Sequence, residues 1–155
     1  GTADSSPGLA GCARELETTL RDWPSKLRGI KPKGCPHSPW QLLEHLRICQ
    51  WDILEFSRDP EHRSPDFPSG YWPDREAPPT DKSWEQSVTK FREDLAELKR
   101  LLADPSVDLL VPIAHGQGQT VLREAILVAD HNAYHLGQLI LLRRLLGCWP
   151  EDCPQ

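Results

Sequence analysis

The sequence has no methionine, no long apolar run and no excess of basic residues, and each absence limits what the protein can be. No stretch approaches the roughly 18 uninterrupted apolar residues that a membrane-spanning helix needs. With 23 acidic against 18 basic side chains the formal net charge is −5, which is not the basic footprint of a nucleic-acid-binding protein. We therefore expect a protein that binds neither nucleic acid nor a membrane.

The five cysteines form no CxxC pair, and their odd number argues against a disulfide framework or a zinc ribbon. Residues 1–8 lack the basic and apolar regions of a secretory signal. We therefore expect a reducing, cytoplasmic compartment. The leading Gly1 without an initiator methionine indicates a processed or tagged N-terminus, so the first few residues are left out of the fold prediction.

The composition that is present fits one globular domain. A chain of 155 residues with 38% hydrophobic and 26% charged side chains can bury a core without a disulfide or a metal. We expect a single domain over residues 1–155, with residues 1–7 flexible. Apolar residues recur at helical spacing in four segments. They predict helices over about Leu9–Asp22, Trp40–Arg58, Ser83–Ala103 and Thr120–Leu146.

The helix ends are marked by turn and capping residues. Ser38, Pro39 and Gln41 form a start signal for the second helix, and Gly147 stands where the fourth should stop. Only residues Leu109–Ile113 have the composition of a short strand. The sequence therefore predicts an all-α fold, a four-helix bundle.

Residues 59–80 are a proline-rich connection that holds six of the fifteen prolines. A loop of this length is unusual inside a compact domain and is often functional. Its aromatic residues Phe67, Tyr71 and Trp72 argue against free disorder, so we expect it to fold back over the body of the domain. It is also long enough to join two parallel helices.

The sharpest local motif is His131-Asn-Ala-Tyr-His135, in which two histidines four residues apart share one helix face. Such a pair can bind one metal ion, although Asn132 stands where a zinc protease of the HExxH type has its glutamate. His45 is the leading candidate for a third ligand, because it lies on the otherwise apolar face of the second helix. A three-histidine site leaves coordination positions open, and imidazole suits zinc, nickel, iron or copper.

Alternatives to a metal site come from the same residues. A histidine pair at this spacing is usually solvated, and a lone histidine such as His45 is more often a hydrogen-bonded core residue. Cys49 is either a soft fourth ligand or, more commonly, a small buried apolar residue. Asp52, Gln138 and Tyr134 are candidates for orienting a ligand or substrate. Glu44 and Asp130 point away from the histidine faces. The remaining histidines, in loops, are expected to be surface residues: His37, His62 and His115.

These motifs resemble the DinB/YfiT-like superfamily. The run from Ala129 to Ile140 is similar to its HxxxHxGQ signature, and Ser38–Leu46 is similar to its other motif. The Tyr71-Trp72-Pro73 element is familiar from DinB-like proteins. The resemblance covers about residues 9–149 in order and spacing.

The resemblance implies an up-down-down-up bundle with a long loop between helices 2 and 3. It implies a divalent metal ion held by His45, His131 and His135, with nickel or zinc typical and iron or manganese as alternatives. It also implies a homodimer, which agrees with the excess apolar surface of the fourth helix. Characterised relatives include transferases and isomerases that use bacillithiol or mycothiol.

Three functions remain open from the sequence. The first is a metal-dependent hydrolase or thiol transferase, with a low-molecular-weight thiol and a small electrophile as partners. The second is a non-catalytic, stress-related protein that binds a metal or a small molecule. The third is a bundle whose histidines are structural and bind no metal.

Overall fold

The computed structural model describes residues 16–150 and shows an all-α fold over that range. Residues 16–20 are helical and are called α1. The other three helices are α2 (Pro39–Arg58), α3 (Asp81–Ala103) and α4 (Val121–Leu145). Two 3₁₀ helices, Ser25–Leu27 and Ser69–Tyr71, lie in the connections. Expectations for residues 1–15 lie outside the described residues, and the up-down-down-up order of directions stays a prediction.

The helix starts follow from side-chain capping. Ser38 accepts a hydrogen bond from the Gln41 backbone, and the Gln41 side chain accepts one from the Ser38 backbone, so the predicted capping box of α2 is confirmed. Thr80 caps α3, which begins at Asp81, two residues before the predicted start, and Thr120 caps α4, which begins one residue after the predicted start. The candidate strand Leu109–Ile113 forms no strand, and Pro112 contributes a single isolated bridge to Thr120.

The core lies between α2, α3 and α4 and includes the inner face of α1. Trp84 is 1% exposed and lies between Trp23 and Trp40, with ring centroids 5.8 and 6.5 Å apart. Leu54, Leu98 and Val128 form a second, smaller hydrophobic cluster. Within residues 16–150, no helix has the length and apolar character needed to cross a membrane.

A buried polar chain joins the three long helices inside this core. The Asn132 amide donates to Gln50 Oε1 at 2.9 Å, and the Gln50 amide donates to the Phe91 carbonyl at 2.7 Å. These bonds satisfy polar groups that would be costly to leave unpaired in the core. They link α4 to α2 and α2 to α3 one residue away from His131.

The 59–80 loop folds back on the body, as the sequence predicted. At its C-terminal end, Ser38 Oγ donates to the Glu76 carbonyl and Lys31 pairs with the Glu76 carboxylate. Ala77 packs directly on Gly29, where a Cβ atom would lie 2.4 Å from the Ala77 Cβ. Glycine at position 29 therefore allows the loop to approach the chain in front of α2.

Candidate metal centre

The three predicted histidines meet between α2 and α4. Their ligand nitrogens all lie within 4.8 Å of one another, and Nε2 of His131 is 3.1 Å from Nε2 of His45. In a tetrahedral zinc site with bonds of about 2.0–2.1 Å, two ligand nitrogens lie roughly 3.4 Å apart. The spacing is therefore close to that of two donors on one ion, and His45, His131 and His135 are placed to bind a metal ion.

Hydrogen bonds to oxygen set the tautomers of two of these rings. Nδ1 of His45 lies 2.9 Å from the Tyr71 carbonyl, and Nδ1 of His135 lies 2.7 Å from Gln138 Oε1. Both oxygens accept only, so each Nδ1 carries the proton and each Nε2 keeps its lone pair. Metal-ligating histidines usually have such a partner on the other nitrogen.

The surroundings also keep the imidazoles neutral. Burial, together with the neighbouring His135 and His45, lowers the pKa of His131 to about 4. Burial is the largest cause of the lowered pKa of His45 and of His135 as well. Neutral imidazole is the metal-binding form, so at neutral pH each of the three rings has one nitrogen lone pair for a metal ion.

Trp72 covers the His45 side of the cluster. Its ring stacks on His45 with centroids 3.8 Å apart and planes 4° from parallel, and it meets His135 edge-on at 6.2 Å. The His37 ring also stacks on Trp72, with ring centroids 3.9 Å apart. The loop therefore contributes a flat apolar wall to the site, and it holds the His45 ring in one plane.

Asp52 anchors the loop that supplies this wall. The Tyr71 hydroxyl donates to Asp52 Oδ2 at 2.6 Å, and His62 Nε2 donates to Asp52 Oδ1 at 2.7 Å. Burial and the bond to Asp52 raise the pKa of Tyr71 to about 12, so its hydroxyl stays a donor at neutral pH. Because the Tyr71 carbonyl in turn accepts from His45, Asp52 positions a ring that it does not touch.

The other sequence candidates take separate places. Cys49 Sγ lies 3.6 Å from His45 Nδ1 but outside the three-histidine group, and burial raises its pKa to about 12. Glu44 forms a two-bond ion pair with Arg47, away from the histidines, as the helix geometry predicted. Tyr134 is 65% exposed and meets the His135 ring only at its edge.

The surface prediction for the loop histidines is wrong for His62, whose side chain is 8% exposed because it is packed against Asp52. His37 is partly exposed, and its ring stacks on Trp72. His115 is exposed, as expected. Periodicity could not show these contacts, because the partners meet only after the loop has folded back.

A family comparison agrees with this geometry. A profile of the DinB superfamily matches residues 9–139, which include α2, α3 and all three histidines. The chain belongs to the DinB superfamily. Searches of curated proteins and of solved structures returned no match. Membership in the DinB superfamily, together with the three-histidine group, fits metal binding and does not identify the ion or a reaction.

Replacing Gln138 with leucine is expected to lower metal affinity about tenfold, because the His135 Nδ1–H loses its acceptor and the ring its fixed orientation. Gln138→Glu keeps an acceptor at the same place and should retain affinity. Competition with a chromophoric chelator measures both variants. Equal affinities for the leucine and glutamate variants would show that this hydrogen bond does not orient a ligand.

Proposed function

We propose that this DinB-superfamily protein is a metal-dependent enzyme with His45, His131 and His135 as the ligands of one divalent ion, nickel or zinc first among the candidates. The observation that carries the proposal is the set of three neutral imidazoles with converging nitrogens, two of them with oriented tautomers. Three protein ligands leave coordination open to another molecule, which is typical of catalytic rather than structural sites.

The reaction that this site supports best is nucleophilic attack by a small thiol or by water on a small electrophile. When bound, a divalent ion lowers the pKa of a coordinated thiol or water, which makes the nucleophile available at neutral pH. In the thiol case the S–H proton leaves to solvent and the sulfur electron pair forms the new S–C bond. The leaving group departs with its own electron pair, so the transfer is balanced without an oxidant.

The residues of the chain hold and shield the reacting groups. Gln138 and the Tyr71 carbonyl fix two ligand rings, and Trp72 excludes water from one side of the cluster. Shielding of this kind strengthens electrostatic interactions inside the site. The proposal includes a homodimer. It is supported by the outer face of α4, which exposes the large side chains of Leu122, Ile126, Tyr134 and Leu145.

A non-catalytic binding protein is the second candidate. This candidate is favoured because both carboxylates near the histidines already have partners. Asp52 is hydrogen-bonded to Tyr71 and His62, and Glu44 is paired with Arg47. Neither is free to serve as a general acid or base. A reaction that needs no proton-transfer residue, such as thiol transfer, is compatible with this arrangement; hydrolysis is less so.

Elemental analysis of protein purified without a nickel column tests the site. We expect about one divalent ion per chain, and less than about a tenth of that in His131→Ala, because two remaining imidazoles bind weakly. His131→Gln repeats the test with a larger side chain, and circular dichroism checks folding. His115→Ala, an exposed histidine, is the matched control and should keep its metal. Metal content that is unchanged in folded His131 variants would contradict the metal site.

Activity is tested on the metal-loaded protein with a panel of cytosolic thiols and a small alkylating electrophile. We expect thiol consumption that depends on the protein and is lost in His45→Ala. Consumption equal to the His45→Ala background, in protein that does contain metal, would favour the non-catalytic candidate.

A further inference from the structure

A cleft of about 230 Å³ lies beside the three-histidine group and has a separate lining. It is connected to the metal centre by two residues. Gln138 lines the cleft and hydrogen-bonds His135, while His37 lines it and stacks on Trp72, which stacks on His45. A molecule in the cleft would therefore lie next to the ligand rings without replacing them.

The chemistry of the cleft is apolar and uncharged. Leu42, Leu141 and Leu142 supply aliphatic walls, Cys35 supplies a thiol, and the described lining residues include no acidic or basic side chain other than His37. Burial, with Lys31 nearby, lowers the pKa of His37, so its ring is neutral at pH 7. The Lys31 ammonium is itself paired with Glu76. The lining residues offer no opposite charge to a carboxylate, a phosphate or an ammonium group, so the burial of such a group would be costly.

The volume sets the size of the group that fits. An apolar cavity of about 150 Å³ lined by aliphatic side chains is large enough to bind benzene. A cleft of about 230 Å³ can therefore take a six-membered ring or a branched alkyl group with a short substituent. Leu141 is 54% exposed, so one wall of the cleft is open to solvent and a ligand can enter there.

We propose that this cleft is the specificity subsite of the enzyme and that it seats the uncharged, apolar part of the substrate, with a ring or branched alkyl group as the class. The inference rests on the proposed function, since the reacting atom of the same molecule would face the three histidines. The amide of Gln138 and the ring of His37 stand at the border between the two regions.

Protection of Cys35 from iodoacetamide, followed by peptide mass spectrometry, tests this subsite on the protein as purified. Benzyl alcohol is the neutral probe, and benzenesulfonate and benzylammonium are charged probes of similar size. We expect benzyl alcohol to slow Cys35 alkylation about fivefold or more at saturation and the charged probes less than about twofold, because burying a charge here is unfavourable. Cys148, also half-buried and free but outside the cleft, is the internal control and should be unaffected.

Two variants block the cleft in different ways. Leu141→Glu places a charge in its open wall and Leu141→Trp fills it, and both should abolish protection by benzyl alcohol. Leu110→Glu changes an exposed leucine in the connection before α4 that neither lines the cleft nor belongs to the proposed dimer surface, so it should behave as wild type. Unchanged protection in both Leu141 variants, equal protection by the charged probes, or equal slowing at Cys148 would each overturn the subsite.

His131→Ala separates this inference from the proposed function. The variant should lose metal yet keep protection of Cys35, because the cleft has its own lining. Loss of metal with retained protection supports the subsite. A wild-type protein that contains metal but gives no protection overturns the subsite and leaves the metal centre standing.

Discussion

Replacing Arg143 with leucine is expected to lower the free energy of unfolding by about 3 kcal/mol or more. Arg143 is 1% exposed, and all three nitrogens of its guanidinium group donate to backbone carbonyls. Nε bonds to Cys148 O at 2.9 Å, Nη1 to Thr18 O at 3.1 Å and also to Thr19 O, and Nη2 to Arg21 O at 2.6 Å. One guanidinium group therefore gives hydrogen-bond donors to the backbone carbonyls at the end of α1 and in the turn after α4.

The large effect follows from what leucine would leave behind. Carbonyls at a helix C-terminus have no partner within the helix, and a positive charge there is favourable. Leucine would remove the charge and strand several acceptors in a region where Trp23 packs 5.2 Å from the guanidinium. Natural domains have only about 5–15 kcal/mol of stability in total, so the loss is a large share.

Urea unfolding, read from the shift of the midpoint at constant slope, measures the Arg143 effect. Arg144→Leu is the matched control, because Arg144 is the next residue and is exposed. It loses only a cation–π contact with Trp149, so it should change stability by less than about 1 kcal/mol. Arg143→Lys keeps the charge without the planar fork and should recover only part of the loss. An Arg143→Leu protein as stable as Arg144→Leu would show that the carbonyls find other partners.

Removing the Asp52 anchor is expected to weaken metal binding about tenfold to a hundredfold with little loss of helix content. Asp52→Leu breaks the bonds to Tyr71 and His62 together, whereas Tyr71→Phe breaks only the first and keeps the backbone carbonyl that faces His45. Without the anchor the loop no longer holds that carbonyl and Trp72 against His45, so the ring loses its orientation. We expect Tyr71→Phe to show part of the effect of Asp52→Leu.

Chelator competition measures the metal affinity of these variants, which should fall. A second measurement follows the rate of metal release, which should rise. Asp66→Asn is the control for the loss of one negative charge, since Asp66 is exposed in the same loop. The double variant Asp52→Leu with Tyr71→Phe should bind the metal no more weakly than Asp52→Leu alone. Both changes break the same hydrogen bond, the one between Asp52 and Tyr71. Fully additive losses would mean that the two residues act on the site independently.

The parts of the structure that could be predicted are those encoded within a few residues. The capping box of Ser38 and Gln41 and the His131–His135 pair are local patterns, and both are present. His45 could be added because it shares an apolar helix face that has to be buried against another helix. In each case the prediction depends on helix periodicity or on capping residues, which can be recognised within a short stretch of sequence.

The parts that could not be predicted depend on contacts that the folded loop creates. Tyr71 reaches His45 across 26 residues, and His62 reaches Asp52 across ten; no periodicity marks either pair. Arg143 was also missed; it is one of two adjacent arginines in the last turn of α4, and nothing in the pattern shows which of the two is buried. The loop was expected to fold back over the domain, but the stacking of Trp72 against His45 and His37 was not predicted.

The hydrogen bonds from Asn132 to Gln50 and from Gln50 to Phe91 fix the positions of the three long helices along one another. Apolar ridges alone would let α4 slide along α2 to a neighbouring register about 5.4 Å away, one helical turn, with little change in packing. A slide of that size would break the buried hydrogen bond between Asn132 and Gln50 and carry His131 and His135 past His45. The spacing of the three imidazoles therefore depends on a buried hydrogen bond between two residues, Asn132 and Gln50, that are not themselves ligands.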